Sequence, residues 1–184
     1  MYNIYNWVDI VKNLDSPSKI SLIKSSDFHH QLKDYVYEFR LTEKIPKNDL
    51  LMFPNLTKLN CTGCPNITNV EKLVNLKTLD CSYCQNITNV EKLVNLTKLI
   101  CVNCSNVTNV EKLVNLTTLK CSNCSNITNV EKLVNLIYLD CRKCRNIINV
   151  EKLVNLKNLI CFDCPNITNE IKQLLRSRNV EIFD

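Results

Sequence analysis

The residues best suited to chemistry in this sequence are its cysteines. Twelve of the 184 residues are cysteine, and they form six Cys-x-x-Cys pairs that recur every twenty residues. Two successive pairs therefore give the spacing C-x₂-C-x₁₆-C-x₂-C, which is a strong sequence signal for a tetrahedral zinc site. One interpretation is a protein with three zinc ions, each held by four thiolates from two neighbouring pairs.

The same cysteines also have a purely structural interpretation. Cys61 and its five counterparts would face inward from a strand, and Cys64 and its counterparts would fill the turn that follows. Free cysteine is among the residue types most often buried, where it packs as a small apolar side chain. The six pairs are evenly spaced and are not arranged in sets of two, as zinc sites made from two pairs each would suggest. The structural interpretation is therefore favoured, and neither a metal nor a cofactor is expected. A disulfide between neighbouring strands is the third alternative.

Composition excludes several other kinds of site. Gly63 is the only glycine, so the chain has no glycine-rich phosphate loop. The only histidines, His29 and His30, are adjacent, which leaves no three-histidine metal site. Thiols that are buried away from basic groups are unreactive, so no cysteine is assigned as a nucleophile and no catalytic residue is predicted.

Membrane and secretion signals are missing from the sequence. No stretch approaches the roughly 18 apolar residues of a membrane span, and the first ten residues do not have the pattern of a secretory signal. We therefore expect a cytoplasmic protein that does not contact a membrane. The cytoplasm keeps thiols reduced, which weighs against a disulfide framework.

A twenty-residue repeat positions the cysteines. Six units share the pattern LxxLxCxxCxN[IV]xNxxKxxx. Their first residues are Leu56, Leu76, Leu96, Leu116, Leu136 and Leu156. Such a period is typical of stacked units that bury their apolar faces only against their neighbours.

Each unit contains the signals of a strand and of a short helical turn. In the second unit Cys81 and the leucine two residues before it alternate with polar residues, as in a strand with one buried face. Asn89 is a favourable N-cap. Val90, Leu93 and Val94 follow it at the spacing of one apolar helical stripe. Since glycine is almost absent, the turns are expected to use asparagine, which tolerates the left-handed region.

The signature LxxLxCxxCxxI resembles that of leucine-rich repeats, and the continuation CxxIT resembles their cysteine-containing subclass, which commonly follows an F-box. In the first unit it is carried by Leu56, Leu59, Cys61, Cys64 and Ile67. The resemblance implies an α/β fold, a curved solenoid with a parallel β-sheet on its concave face and short helical or 3₁₀ turns on its convex face. The near-identical repeats are also similar to leucine-rich-repeat proteins encoded by large amoeba-infecting DNA viruses.

The repeats define the expected domain organisation. Residues 56–175 hold the six units, and residues 36–55 form a degenerate repeat before them. Residues 176–184 form a cap with a closing strand, so the solenoid is expected to cover residues 36–184.

The segment 1–35 lies outside the repeat register. Its apolar spacing predicts two short helices that cap the first repeat, a cover that solenoids need for solubility. The order of residues from Ile10 to Phe28 also resembles an F-box. That resemblance implies, as an alternative to a simple cap, docking to a ubiquitin-ligase adaptor.

The residues that differ most between units lie at the outward strand and turn positions, which this fold would place on the concave face. By contrast, Glu-Lys pairs such as Glu91 and Lys92 are the same in five units and are expected to be solvated on the outer side. The candidate partner-binding residues are Lys58, Asn60, Asp80, Tyr83, Lys98, Ile100, Lys120, Tyr138, Asp140, Arg142, Lys143, Ile160 and Phe162.

Charge and apolar area at the variable positions indicate a protein partner. Eight basic residues accompany three acidic ones there, which favours an acidic partner through electrostatic steering. Tyr138, Ile160 and Phe162 add apolar area, and such a mixture is typical of protein interfaces. The basic surplus is small and interrupted by aspartates, so nucleic acid is not expected to bind.

The sequence therefore predicts a non-enzymatic leucine-rich-repeat module that binds an acidic partner protein on its concave face. Two alternatives remain open. One is a substrate-recruiting adaptor of a ubiquitin ligase that docks through residues 1–35, and the other is a zinc-stabilised repeat protein.

Overall fold

In this computed structural model, the described residues include eight three-residue strands, which form one parallel sheet whose strand order follows the chain. The structure describes residues 14–15, 18–19, 21–22, 36, 38–40, 53–68 and 70–184. The strands are β1 (Glu38–Arg40), β2 (Lys58–Asn60), β3 (Thr78–Asp80), β4 (Lys98–Ile100), β5 (Thr118–Lys120), β6 (Tyr138–Asp140), β7 (Asn158–Ile160) and β8 (Glu181–Phe183).

The twenty-residue period sets the register of the sheet. Leu79 is aligned with Leu59 on one side and with Leu99 on the other. The same alignment continues from β1 to β7, and only the last pairing departs from it, with Leu159 beside Ile182. Every unit therefore places equivalent residues in columns that run across the strands.

Short helical turns form the opposite side of the repeats. Among the described residues, four units have a 3₁₀ turn, at Val90–Lys92, Val110–Lys112, Val130–Lys132 and Val150–Lys152. The last unit has instead an α-helix, α1 (Asn169–Ser177). Thr168 caps the N-terminus of this helix, because its hydroxyl accepts a hydrogen bond from the backbone amide of Ile171. The predicted solenoid with strands on one side and helical turns on the other is confirmed.

Seven inward positions of each of the first five units make up a continuous core, and the sixth unit continues the first five of these positions. In the second unit they are Leu76, Leu79, Cys81, Cys84, Ile87, Val90 and Leu93, and each is fully buried. Burial of a leucine or valine side chain contributes about 1.5–3 kcal/mol, so the stacked columns supply the main stabilising term. Both cysteines of each unit belong to this core, as the structural interpretation predicts.

Asparagine side chains join neighbouring units along two further columns. Asn95 donates from Nδ2 to the carbonyl oxygen of Val74 at 2.9 Å, and Asn86 donates to that of Pro65 at 2.8 Å. Equivalent bonds recur in the following units. These bonds satisfy loop carbonyls that the sheet ladder does not reach.

Asparagine also takes the left-handed conformation, as expected, whereas Asn89 stands at the predicted N-cap position without capping its turn. Asn109, Asn129 and Asn149 have φ values of 54°, 53° and 58° before their 3₁₀ turns. Asn89 has φ −85°, and its side chain makes no capping hydrogen bond. A second left-handed position follows each of the strands β2 to β7 and is held by Gly63, Tyr83, Asn103, Asn123, Lys143 and Asp163.

Two expectations about the helical turns are wrong. Val94 does not share the buried stripe of Val90 and Leu93; it is 49% exposed, because the turn ends at Lys92 and has three residues per turn. Glu91 is not solvated like its neighbour Lys92. It is half-buried, and its Oε2 atom is shielded from solvent without a hydrogen-bond donor among the described residues.

The amino-terminal predictions lie mostly outside the described residues. This holds for the two predicted helices of residues 1–35 and for the F-box-like segment from Ile10 to Phe28. Leu22 is described and packs against the core of the solenoid, and Val36 is buried in that core. The strand β1 pairs with β2 in the register of the repeats.

Candidate functional site

The exposed face of the sheet presents two columns of side chains. The middle residue of each repeat strand points into the core, so the first and third residues point away from it. The first-residue column is Lys58, Thr78, Lys98, Thr118, Tyr138, Asn158 and Glu181. The third-residue column is Asn60, Asp80, Ile100, Lys120, Asp140, Ile160 and Phe183.

A buried carboxylate lies in the middle of this face. Asp140 is only 3% exposed, and Arg142 binds it in a bidentate manner, with Nε 2.9 Å from Oδ1 and Nη2 2.8 Å from Oδ2. The hydroxyl of Ser122, from the preceding unit, donates to Oδ1 at 2.7 Å. Burial raises the pKa of Asp140, but the hydrogen bonds from Arg142 and Ser122 outweigh it and hold the pKa below its usual value.

Lys120 and Tyr138 adjoin this carboxylate. The Nζ atom of Lys120 lies 5.2 Å from the centre of the Tyr138 ring, within the range of a cation–π interaction. Burial and the nearby charge of Asp140 raise the pKa of the Tyr138 hydroxyl. Four predicted residues are thus brought together with Ser122, and we call these five residues the central cluster.

Apolar side chains lie on both sides of the central cluster. Ile100 ends β4 and is followed by Val102, while Ile160 ends β7 and is followed by Phe162, which is 45% exposed. Phe183 extends the second group, because it is aligned with Ile160 across the last strand pair. We call Ile100 with Val102 the first apolar pair, and Ile160 with Phe162 the second.

The remaining predicted strand residues lie nearer the amino-terminal end of the face. Lys58 forms an exposed ion pair with Glu38 at 3.4 Å, and Lys98 is exposed. Asn60 accepts a hydrogen bond from the backbone amide of Thr62 through its side-chain oxygen. Asp80 likewise accepts from both the amide and the hydroxyl of the serine two residues on. These residues do not join the central cluster.

Tyr83 and Lys143 lie in turns at the edge of the sheet rather than on its strands. Both are exposed and have positive φ values, 63° and 61°. Lys143 lines an open groove of about 1120 Å³ together with Arg145, Phe162 and Asp163. This groove is continuous with the second apolar pair through Phe162.

Sequence reasoning missed Ser122, which is buried against Asp140. The sequence does offer a signal for this serine. In two units, a serine lies two residues after the last residue of the strand, at Ser82 and Ser122. The serine of the second unit bonds the aspartate of its own unit, whereas Ser122 reaches the aspartate of the next. The pattern alone does not distinguish these two partners.

The cysteines form a ladder of hydrogen bonds between units. The thiol of Cys84 donates to the carbonyl oxygen of Cys61 at 2.9 Å, and the same bond joins each later pair of units. All twelve cysteines are buried thiols. In the part of the chain that the structure describes, no three histidine, cysteine, aspartate or glutamate side chains converge to hold a metal ion.

Several cysteines that directly follow a strand differ in acidity from a cysteine in the turn after it. A hydrogen bond with a thiol of the next unit, together with burial, raises the pKa of Cys81, Cys101 and Cys121 well above the usual value for cysteine. A hydrogen bond from Cys141 lowers the pKa of Cys164 to about 7. Cys164 is 7% exposed and lines the groove, so it is the most accessible of the twelve thiols.

Comparisons with solved structures find similar chains in bacteria. The functional domain of InlJ from Listeria monocytogenes, which includes a cysteine ladder, is 28% identical with a TM-score of 0.50, covering 66% of this chain and 27% of that one. An internalin, InlF, from the same species is 17% identical with a TM-score of 0.60, covering 87% and 60%. A leucine-rich-repeat protein of Leptospira interrogans is 18% identical with a TM-score of 0.56, covering 85% and 50%.

The extent of these matches is limited. The chain spans between about a quarter and three fifths of the length of these three structures. No protein-family model and no curated protein matches the sequence. Within its described residues, the chain has no helix with the length and apolar character needed to cross a membrane.

Proposed function

We propose that this chain, which has the leucine-rich-repeat fold of the three similar structures, is a non-enzymatic module that binds a partner protein on its concave face. The central cluster is the observation that carries the proposal. It combines an aromatic ring, an arginine and a lysine at the middle of a shallow face, and such residues dominate the energetics of protein interfaces. The apolar pairs on either side add area that water leaves on binding.

The charge of the face supports an acidic partner. Two of the eight basic residues at variable positions are compensated within the chain, Lys58 by Glu38 and Arg142 by Asp140. Lys98, Lys120 and Lys143 make no ion pair with another described residue. Their field favours the approach of an acidic surface and raises the association rate.

Affinity capture with matched variants tests the proposal. The double variant Tyr138→Ala, Phe162→Ala removes exposed aromatic area from the concave face, and Lys112→Ala, Lys132→Ala changes two exposed convex residues. Circular dichroism verifies that both variants fold. We expect a partner, identified by quantitative mass spectrometry, to be lost from the concave variant and kept by the convex one. Partners captured equally by all three proteins would contradict the proposal.

The division of the chain and its setting belong to the same proposal. Residues 1–35 act as a cap on a solenoid formed by residues 36–184, which the packing of Leu22 against the core supports. The buried thiol ladder is suited to the cytoplasm, where cysteines stay reduced. Docking to a ubiquitin-ligase adaptor through residues 1–35 stays a prediction from the sequence, since the F-box-like segment lies mostly outside the described residues.

A further inference from the structure

The third-residue column of the sheet has a defined chemical order. Ile100, Lys120, Asp140 and Ile160 are aligned on four successive strands. The two isoleucines are half-buried, so part of each side chain remains open to a ligand. The column therefore offers apolar contacts at both ends and charge between them.

The separation of the two apolar pairs discriminates between ligand conformations. Ile100 and Ile160 are three strand steps apart, which corresponds to about 14 Å at a strand spacing of about 4.8 Å. An extended peptide rises about 3.4 Å per residue, so residues four apart span about 14 Å and point to the same side. An α-helix covers that distance in about nine residues, which lie on different sides of its axis. The spacing thus selects an extended ligand.

The residues between the apolar pairs specify the charge of such a ligand. Asp140 is covered by Arg142, which occupies both of its carboxylate oxygens. Lys120 lies against Tyr138, and no described carboxylate is within ion-pair distance of its Nζ atom. The middle residue of the bound peptide falls between the Lys120 and Asp140 strands, where a carboxylate is attracted to Lys120.

We propose that the concave face binds an extended peptide segment in which two apolar residues stand four positions apart with an aspartate or glutamate midway between them. The segment crosses the strands, with its apolar side chains on the two apolar pairs and its carboxylate at Lys120. This inference rests on the proposed function and names the part of the partner that the site recognises.

Selection from a phage library of random twelve-residue peptides tests this inference directly. On the full chain we expect enriched peptides to carry the apolar-x-acidic-x-apolar spacing, with capture about tenfold lower on the variant Ile100→Ser, Ile160→Ser, as removal of two apolar contacts predicts. The control variant Val114→Ser, Val134→Ser makes the same kind of change at exposed positions away from the strands and should capture normally. Circular dichroism verifies that both variants fold.

The outcomes separate this inference from the proposed function. Enrichment of a helical spacing of three or seven, equal capture by both variants, or no enrichment at all overturns the inference. If affinity capture still identifies a partner that depends on Tyr138 and Phe162, the proposed function stands while the peptide assignment fails. If neither the peptide selection nor the affinity capture gives its expected result, both the inference and the proposed function fail.

A second measurement assigns the acidic position to Lys120. Fluorescence anisotropy compares an enriched peptide with the same peptide carrying the amide in place of its acidic residue. We expect the acidic form to bind about threefold more tightly to the unchanged chain, as for an exposed ion pair, and equally to the variant Lys120→Gln. A preference that persists in the variant overturns the role of Lys120.

Discussion

The thiol of Cys104 donates a hydrogen bond to the carbonyl oxygen of Cys81, with 2.9 Å between sulfur and oxygen. The bond joins the turn of one unit to the end of the preceding strand, and it recurs between all neighbouring units from the first to the sixth. The cysteines of this chain therefore stabilise the stacking of its repeats. The twenty-residue spacing that resembles a zinc signal follows from the repeat length.

Removal of one thiol from the ladder should destabilise the solenoid. Cys104→Ala leaves a small cavity and removes one donor, so we expect the free energy of unfolding to fall by about 1–3 kcal/mol. Cys104→Ser keeps a donor and should lose less. Urea unfolding measures both, with Val114→Ala as the control at an exposed position. A serine variant less stable than the alanine variant would contradict the role of the hydrogen bond.

The turn after β6 contains a lysine with a strained backbone conformation, and a substitution can relieve this strain. Lys143 has φ 61°, whereas Asn103 and Asn123 occupy the equivalent position in two other units. A long side chain in the left-handed region costs about 1 kcal/mol, and asparagine tolerates that region better. We expect Lys143→Asn to raise the unfolding free energy by up to about 1 kcal/mol. An unchanged or lower value would show that the strain is compensated locally.

Thiol reactivity should follow accessibility along the ladder. Cys164 lines the groove and has its pKa lowered to about 7 by Cys141, so its thiolate fraction rises between pH 6 and pH 8. The pKa of Cys84 is also lowered to about 7, by Cys61, but Cys84 is fully buried. Peptide mass spectrometry after brief iodoacetamide treatment should find Cys164 alkylated first. Earlier alkylation of Cys101 would contradict the packing described.

The central cluster should make stability depend on pH in the acidic range. Because the pKa of Asp140 is lowered in the folded protein, its contribution is complete above the unfolded value of about 3.9 and is lost as the pH falls through the lower folded value. We expect Asp140→Asn to lower the unfolding free energy by about 1 kcal/mol at pH 7, since solvent screens the half-exposed Arg142. The difference should shrink below pH 4. A difference independent of pH would contradict the ion pair.

The periodic part of the fold can be predicted from the sequence because each unit repeats the same local structure. The alternation around Leu79 and the fixed twenty-residue step are sufficient to predict a parallel sheet with Leu79 beside Leu99. The prediction for Val94 failed because an apolar stripe at i, i+3 and i+4 assumes α-helical geometry, whereas the second unit has a 3₁₀ turn.

The site is only partly predictable, because its contacts cross between units. The sequence identifies Lys120, Tyr138 and Asp140 as variable outward residues, but their mutual contacts depend on side-chain conformations. The bond from Ser122 to Asp140 joins residues eighteen apart, and Arg142 neutralises a carboxylate that sequence counting treats as independent. Local pairing thus alters the charge pattern that composition predicts.

Site-specific photocrosslinking tests most directly whether a partner protein binds on the concave face. The photoreactive residue p-benzoylphenylalanine replaces Tyr138 within the central cluster, or Lys132 on the convex side as a control, and crosslinked products are identified by mass spectrometry. If the partner binds on the concave face, it is crosslinked from position 138 and not from position 132. Crosslinking of that partner from position 132 alone would contradict it.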